Sequence, residues 1–192
     1  RKPGPREPAI PAGCAGISTS AGGLLEVLLR AWGCGMNDVL DVVVIGAGWA
    51  GLGVSHGLTR SGVSHVVLER ARIGETWRSQ RWDSFHFNIP RVLTVMPGDR
   101  YDGDDPEGAM TRDEFVGMLE SYVARHGLPV QTGEAVTEVA PDGDSGFVVS
   151  TPDRTLTARN VVVANGALNR PKRPPLWRQI DPSVRQIDAS DY

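Results

Sequence analysis

The sequence predicts an α/β fold that opens with a strand–helix–strand unit and continues into a β-meander. Residues 39–45 are a short run rich in β-branched side chains, which is typical of a parallel strand buried on both faces. Residues 49–60 follow with side chains at helical spacing, and Ser61 and Gly62 end this helix. A second buried strand is expected at residues 65–69. Strand, glycine turn, helix and strand within about 30 residues make one βαβ unit.

The segments after this unit differ in how clearly they predict structure. Residues 71–110 show no clear periodicity, which predicts a long functional loop region. Thr111 and Glu114 have the spacing of a helix capping box, and the apolar residues that follow predict a helix ending near Gly127. Strands are expected at residues 130–132, 134–140, 146–151, 154–158 and 161–164. The last of these runs is expected to be buried.

Composition and charge exclude several classes of function. The 192 residues are 40% hydrophobic and 22% charged, which is typical of a soluble globular protein. The formal net charge is −3, and the first 35 residues carry four basic and only two acidic side chains, so the remainder is more acidic still. An acidic body without a basic stripe argues against nucleic-acid binding. No apolar run reaches the roughly 20 residues that span a bilayer, so no membrane association and a cytoplasmic location are expected.

The positions of the cysteine and histidine residues exclude further kinds of functional site. Both cysteines, Cys14 and Cys34, lie in the first 35 residues. This position excludes a disulfide scaffold, a thiolate metal site and thiol–disulfide exchange for the remainder of the chain. The four histidines include no pair with metal-ligand spacing, so they are interpreted as structural or solvated and no metal is expected.

Changes in composition predict the domain boundaries. Residues 1–35 lack strand or helix periodicity, the chain does not begin with Met, and Met36 directly precedes the first strong fold signal. Met36 is therefore a candidate for the true start, and residues 1–35 are expected to be an extension outside the fold. A nucleotide-binding domain is expected at residues 36–166. The prolines that follow predict a linker at residues 167–192.

A glycine motif, G-x-G-x-x-G, stands between the first strand and the first helix. In this context Gly46 permits a tight turn, Gly48 lets a pyrophosphate approach the backbone, and Gly51 lets the helix pack closely on the strand. The first residues of the helix, Trp49 and Ala50, are expected to supply free N–H groups and the positive end of the helix dipole.

Glu69 ends the second strand, 18 residues beyond the last glycine of the motif. A carboxylate at this position is expected to accept hydrogen bonds from the ribose hydroxyls of a dinucleotide. It would repel a 2′-phosphate, so NADP is disfavoured as the ligand of this motif. The alternative interpretation is an ordinary glycine turn with a solvent-exposed Glu69.

Three stretches together resemble bacterial flavin-containing monooxygenases, including their Baeyer–Villiger and N-hydroxylating relatives. They are residues 41–69 (DVVVIGAGWAGLGVSHGLTRSGVSHVVLE), 74–90 (GETWRSQRWDSFHFNIP) and 161–174 (VVVANGALNRPKRP). The first stretch is shared by all flavoproteins with two dinucleotide-binding domains, and the other two narrow the family. The resemblance covers residues 38–175. It implies an incomplete Rossmann-like FAD-binding domain, without the NADP-binding domain of the family.

The resemblance also implies which residues contact the cofactor. The segment at 74–78 would wrap the FAD diphosphate and ribose with Trp77 toward the flavin, Asn88 would place an amide near the flavin, and the Val136 backbone would bond the adenine. The full expected set is Gly46, Gly48, Trp49, Ala50, Gly51, Glu69, Arg70, Thr76, Trp77, Asn88, Val136, Ala164 and Gly166. Two alternatives stay open. Trp77 and Trp82 would be core aromatic residues, and Arg78 and Arg81 would be solvated. Asn88 would form a turn.

The implied reaction uses NADPH to reduce FAD and then transfers one oxygen atom from O₂ to a small organic substrate. The monooxygenase fingerprint of the family is F-x-G-x-x-x-H-x-x-x-[WY]. When it is aligned to end at Tyr192, it matches the sequence only at that residue.

No catalytic residue is assigned, and the oligomeric state is not predicted. The alternatives are another FAD-dependent oxidase or dehydrogenase of the same fold, or a non-catalytic fragment. Only 17 residues follow Pro175, which is fewer than the roughly 30 residues of a βαβ unit. The chain alone is therefore expected to bind FAD weakly or not at all. It is also expected to be inactive as an enzyme.

Overall fold

The computed structural model describes residues 39–143, 146–166, 171–188 and 191. These residues belong to one of two compact units of the chain, the unit from Asn37 to Tyr192. The expected extension at residues 1–35 lies outside the described residues, as do residues 167–170 of the expected linker. Both of these expectations stay predictions.

The βαβ unit has the elements that the sequence predicts. Strand β1 spans Leu40–Ile45, helix α1 spans Trp49–Arg60, and strand β2 spans His65–Glu69. The two strands are parallel neighbours. Val43 and Val44, which point to opposite faces of β1, are both fully buried. The run of β-branched residues is therefore covered on both faces, as predicted.

Six strands form one mixed sheet in the order β5-β2-β1-β8-β7-β6. The remaining four strands are β5 (Val130–Thr132), β6 (Glu138–Pro141), β7 (Phe147–Ser150) and β8 (Thr155–Val163). Strands β5, β2, β1 and β8 run parallel, whereas β6, β7 and β8 form an antiparallel meander. The predicted combination of a βαβ unit with a β-meander is confirmed. The carboxyl ends of the four parallel strands meet at one edge of the sheet.

Two strand predictions need correction. The first meander strand begins at Glu138 and not at residue 134, and the runs at 154–158 and 161–164 belong to one strand. The end of that strand is not buried, because Val163 is 65% exposed. Strand β7 pairs with β8 only as far as Ala158, so beyond this point β8 has a neighbouring strand on one side only.

Residues 71–110 contain more regular structure than the sequence predicts. They form helix α2 (Glu75–Ser79), strand β3 (His86–Pro90), a 3₁₀ turn (Arg91–Leu93) and the start of strand β4 (Ala109–Thr111). Strands β3 and β4 pair as a separate antiparallel ribbon. Each element is too short to show a periodicity in the sequence, and contacts with distant residues hold it.

Helix α3 spans Arg112–His126 and has both of its predicted ends. The Thr111 hydroxyl accepts from the Glu114 amide at 3.2 Å, and the Glu114 carboxylate accepts from the Thr111 amide at 2.8 Å. This backbone hydrogen bond is the main cause that lowers the pKa of Glu114. Gly127 ends the helix in the left-handed conformation, with φ of 59°.

The central strands of the sheet pack against a core on each face. Helices α1 and α3 cover one face, where Leu52, Phe115 and Leu119 pack against Val42 and Val44 of the central strand. On the other face, buried residues of the meander strands pack against those of β1 and β2; this second core contains Val43, Val66, Leu68, Val149 and Ala158. None of the helices in the described part of the chain is long and apolar enough to cross a membrane.

Candidate functional site

The loop between β1 and α1 lies at the carboxyl edge of the sheet, between the ends of two neighbouring strands. The Gly46 amide donates to the carbonyl of Leu68 on β2, and the Ala164 amide after β8 donates to the carbonyl of Ile45, both at 2.8 Å. In open α/β sheets, ligands bind outside the carboxyl ends of the parallel strands. The fold therefore places the glycine motif and the junction after β8 together at the edge where such sheets hold a ligand.

Two glycines of the motif are required by the packing of the protein itself. Gly46 has φ of 105°, and a Cβ there would lie 2.7 Å from the Ala164 carbonyl oxygen. A Cβ on Gly51 would overlap the Gly46 carbonyl oxygen and would lie 3.4 Å from Cγ1 of Val44. The structure thus contains the tight turn and the close helix packing that the sequence predicts.

Gly48, in contrast, is not required by packing. Its φ of −93° suits any residue, and a Cβ built there meets no atom of the described residues within 4 Å. The space beside this backbone position is therefore open. Such an opening is what a pyrophosphate group close to the backbone needs, and a side chain would fill it.

The start of α1 presents backbone donors next to this opening. The first amide of the helix with a backbone partner is that of Leu52, which donates to the Gly48 carbonyl at 3.0 Å. The amides of Trp49, Ala50 and Gly51 precede it and donate to no other residue in the described part of the chain. Together with the positive end of the helix dipole, these N–H groups can bind an anion.

Glu69 is fixed beneath the glycine motif. Its side chain is buried, Oε2 accepts from the Ala47 amide at 2.8 Å, and Oε1 accepts from the Ala71 amide at 3.1 Å. The alternative of a solvent-exposed Glu69 is therefore wrong. An ionised carboxylate has about four acceptor positions, so two remain after these bonds for hydroxyl groups of a ligand.

Glu69→Ala should both destabilise the protein and weaken FAD binding. The substitution leaves the buried Ala47 amide without its acceptor, which costs about 1–3 kcal/mol. Urea unfolding without FAD measures the first effect, and a fluorescence titration with FAD measures the second. Glu138→Ala is the matched control, because Glu138 is exposed on β6. Equal FAD affinity in the two variants would contradict the assignment of Glu69.

Helix α2 is attached to the glycine motif through its first turn. The Gly74 amide donates to the Ala47 carbonyl at 3.2 Å, and Gly74 adopts φ of 68°. Trp77 follows in a cluster of aromatic side chains, in which its ring lies 4.9 Å from that of Phe87 and 4.7 Å from that of Phe115. We call Trp49, Trp77, Phe85, Phe87 and Phe115 the aromatic cluster. Its contacts make Trp77 a partly buried core residue, and its contact with a flavin stays a prediction.

The two arginines of this region already have partners within the protein. Arg78 forms an ion pair with Glu120 at 2.5 Å and donates to the Ile73 carbonyl at 3.3 Å. The Arg81 guanidinium lies 4.8 Å from the centre of the Trp77 ring. The side chains are therefore not simply solvated, and Arg78 meets a carboxylate of the chain itself.

Comparison with known proteins identifies the family. The model of the pyridine nucleotide-disulphide oxidoreductase family matches residues 43–180. The chain belongs to this family. An uncharacterised CzcO-like oxidoreductase of Geobacillus kaustophilus is 34% identical over 158 residues, which are 82% of this chain and 44% of that relative. The indole-3-pyruvate monooxygenase YUCCA4 of Oryza sativa is 35% identical over 112 residues, which are 58% of this chain and 25% of that relative.

A solved structure agrees with this family assignment. A flavin monooxygenase from Stenotrophomonas maltophilia (Q193R H194T mutant) has 33% identity and a TM-score of 0.65, over 71% of this chain and 41% of that chain. The resemblance to flavin-containing monooxygenases is thus confirmed, as is the Rossmann-like fold of their FAD-binding domains. The chain spans less than half the length of the CzcO-like relative and of this monooxygenase.

The other predicted contact residues of this family lie on four different segments of the chain. Val136 is half-buried against the core under the meander, and its segment is bonded to the end of β2 by the Glu134 amide, which donates to the Glu69 carbonyl at 2.9 Å. Thr76 lies half-buried on α2, and Arg70 is exposed after β2. Gly166 has φ of 76° after β8. No structural observation tests whether these residues contact a cofactor.

Asn88 is not a turn former, and the proximity of its amide to a flavin stays a prediction. It is neither buried nor part of a turn, because it lies exposed on β3, an extended strand of the two-stranded ribbon. The fingerprint region adds no support for the monooxygenase motif. Asp188 aligns with the histidine of the fingerprint and accepts hydrogen bonds from Arg173 at 2.8 and 2.6 Å, and Tyr192 lies outside the described residues.

Within the described ranges, no group of three or more His, Cys, Asp or Glu residues is arranged to hold a metal ion.

Sequence reasoning missed Ala47, which joins three parts of the site. Its amide donates to Glu69, and its carbonyl accepts from Gly74. Both contacts use the backbone, so the side chain carries no signal for them. The only available clue was its place between the first two glycines of the motif.

Proposed function

We propose that the chain provides the FAD-binding part of a flavin-dependent monooxygenase that uses NADPH to insert one oxygen atom from O₂ into a small organic substrate. The observation that carries this proposal is the open space at Gly48 beside the first amides of α1, with the Glu69 carboxylate fixed next to it. The oxygenase chemistry is supported by the relatives named as a flavin monooxygenase and an indole-3-pyruvate monooxygenase.

Each part of the site would bind a different part of FAD. The amides at the start of α1 would bind the diphosphate, and Glu69 would accept hydrogen bonds from the ribose hydroxyls. The Val136 backbone would bond the adenine, and Ala164 and Gly166 would line the edge after β8. Bound FAD would supply the electron transfer between NADPH and O₂, while the protein orients it and limits the access of water.

Disulfide reduction, which the name of the family suggests, is not favoured for these residues. The matched range 43–180 contains no cysteine, so it offers no thiol for exchange with a disulfide. The proposed partners are therefore a small organic substrate and O₂. We place the protein in the cytoplasm and propose no binding to nucleic acid.

Titration of the purified chain with FAD tests the proposal. Weak but saturable quenching of flavin fluorescence is expected, and NADP⁺ should compete poorly because Glu69 repels its 2′-phosphate. Saturable binding for which NADP⁺ competes as well as FAD does would contradict the proposed site.

Oxygenation by the chain alone is expected to be undetectable. The sequence has one dinucleotide fingerprint, and that motif is assigned here to FAD, so NADPH has no corresponding site in these residues. Mass spectrometry of candidate substrates, such as a thioether and a ketone, incubated with chain, FAD and NADPH measures the product. A stoichiometric yield of oxygenated product would disprove this expectation.

A further inference from the structure

A second cluster of ionisable side chains lies where α1, α3 and the segment at residues 94–99 meet. His56 on α1 and His126 at the end of α3 have ring centres 4.6 Å apart, with an interplanar angle of 78°. His56 is only 6% exposed, and its ring also lies 5.6 Å from that of Tyr122. These residues are far apart in the sequence, so their spacing gave no sign of this contact.

The segment is attached to α3 through Asp99. One carboxylate oxygen of Asp99 bonds Nε2 of His126 at 2.9 Å, and the other accepts from Arg125 at 2.7 Å. The Tyr122 hydroxyl donates to the Pro97 carbonyl at 2.7 Å. Three side chains at the end of α3 therefore hold this short segment.

His56 supports the same segment from α1. Gly98 has φ of 86°, and a Cβ there would lie 2.7 Å from Cε1 of His56, so the backbone of the segment passes directly against the imidazole. The segment is in turn connected to β3, because the Thr94 hydroxyl donates to the Pro90 carbonyl at 3.1 Å. Movement of residues 94–99 would therefore reach the strand that carries Phe87 of the aromatic cluster.

Burial and two neighbouring side chains oppose the protonation of His56, and the Asp99 carboxylate favours it with a smaller effect. Burial lowers the pKa of His56 below its ordinary value of 6.5, and this is the largest effect. The neighbouring His126 and Arg60 lower this pKa further. Burial alone would raise the pKa of Asp99, but the hydrogen bonds and charges of His126 and Arg125 outweigh it and lower this pKa. Charged or titratable groups surround His56 on three elements. Its own helix contributes Arg60, and residues 94–99 contribute Asp99. Helix α3 contributes Tyr122, Arg125 and His126. Burial raises the pKa of Tyr122 to about 12, so this group stays neutral.

In the described part of the chain, His56 forms no hydrogen bond to a carboxylate. Asp99 is hydrogen-bonded to His126 and Arg125, and its charge affects the pKa of His56 less than burial, His126 and Arg60 do. The charge added by a proton on His56 would face His126 and Arg60 in a buried position, which is unfavourable. Because the pKa of His56 is lower in the folded protein, its contribution to stability is fully present above about pH 6.5 and is lost as the pH falls below this value.

We propose that His56, His126 and Asp99 form a pH-sensitive latch, which holds residues 94–99 on α1 and α3 while His56 is neutral and releases them when His56 gains a proton. The device is independent of the proposed cofactor site. Its consequence for the molecule is a loosening of the connection to β3 in acid, while the central sheet stays folded.

Hydrogen exchange of the 192-residue chain tests the latch. The reporter is the Asp99 amide, which donates to the Met96 carbonyl at 3.0 Å, and the reference is the Val44 amide in the central strand. Protection factors, corrected for intrinsic exchange, are compared at about pH 7.5 and about pH 5.5, on either side of the ordinary histidine pKa. Protection at Asp99 should fall by up to about tenfold per pH unit in the acid range, whereas protection at Val44 should not follow.

Variants assign the effect to His56. His56→Phe retains a ring that cannot take a proton, so protection at Asp99 should be equal at the two pH values. If circular dichroism shows this variant unfolded, because the ring lies so close to Gly98, His56→Gln replaces it with the same expected result. His86→Gln is the matched control, since His86 is exposed on β3, and it should keep the behaviour of the unchanged chain.

Two results would overturn the latch. One is an unchanged chain whose Asp99 protection is the same at both pH values. The other is a folded, non-titrating His56 variant that keeps the pH dependence of the unchanged chain. Asp99→Asn, which weakens the bonds to His126 and Arg125, should give low protection of residues 94–99 at both pH values, and high protection in this variant would equally refute the latch.

Discussion

Gly48→Val should abolish FAD binding and leave the free energy of unfolding within about 1 kcal/mol of the unchanged chain. The fold tolerates the side chain, because the backbone at Gly48 has φ of −93° and no atom of the described residues lies within 4 Å of the added Cβ. The valine would instead fill the space beside the amides of Trp49 and Ala50, where the proposed diphosphate binds. Loss of the ligand without loss of the fold is the signature of a position kept open for that ligand.

A fluorescence titration with FAD and urea unfolding of the same sample separate the two effects. Gly57→Val is the matched control. Gly57 lies on the same helix, and a Cβ there also meets nothing within 4 Å in the part of the chain that the structure describes, but it is remote from the glycine motif. FAD affinity should survive this change. A Gly48→Val variant that binds FAD as well as the Gly57→Val variant does would show that the motif has been assigned wrongly.

Gly51→Ala should destabilise the protein by about 3 kcal/mol or more, with or without FAD. Its Cβ would overlap the carbonyl oxygen of Gly46, well inside the 3.0 Å below which real Cβ atoms are not found. Neither atom can move alone, because the Gly46 amide donates a hydrogen bond to the Leu68 carbonyl and Gly46 lies against Ala164. Helix α1 would have to shift from the sheet, and the core residue Leu52 would shift with it.

Thermal and urea unfolding of the FAD-free protein measure this loss. Gly57→Ala provides a control of opposite sign, because alanine is favoured over glycine in a helix by about 1 kcal/mol and its Cβ has space there. We therefore expect Gly57→Ala to be slightly more stable than the unchanged chain. A Gly51→Ala variant of unchanged stability would contradict the close packing of helix and turn.

Local signals were sufficient for the elements that build the site. The β-branched run at 39–45, the glycine motif after it and the capping box at Thr111 and Glu114 each specify their structure through neighbouring residues, so the sequence alone predicts them. The short elements between residues 71 and 110 could not be predicted in this way. Trp77 on α2 and Phe87 on β3 are held by each other and by Phe115 of another helix, and such contacts leave no periodicity in the sequence.

Burial is a second property that only the tertiary structure decides. The apolar run at 161–164 resembles a buried strand, but the pairing of β7 stops at Ala158 and leaves Val163 exposed. Glu69 shows the opposite case. The sequence places a carboxylate at the end of β2, and the fold buries it by turning the Ala47 and Ala71 amides onto its two oxygens.

The sequence by itself therefore determined the βαβ unit, the meander, the family resemblance and the position of Glu69 after the glycine motif. The tertiary structure alone decided that Gly48 borders an open space while Gly51 is confined, since both are the same residue within one motif. It also decided that His56 and His126, on different helices, share one partly buried cluster with Asp99. The physical reason is the same throughout: local patterns specify backbone conformation, whereas open space, burial and the pairing of charges depend on which distant segments the fold brings together.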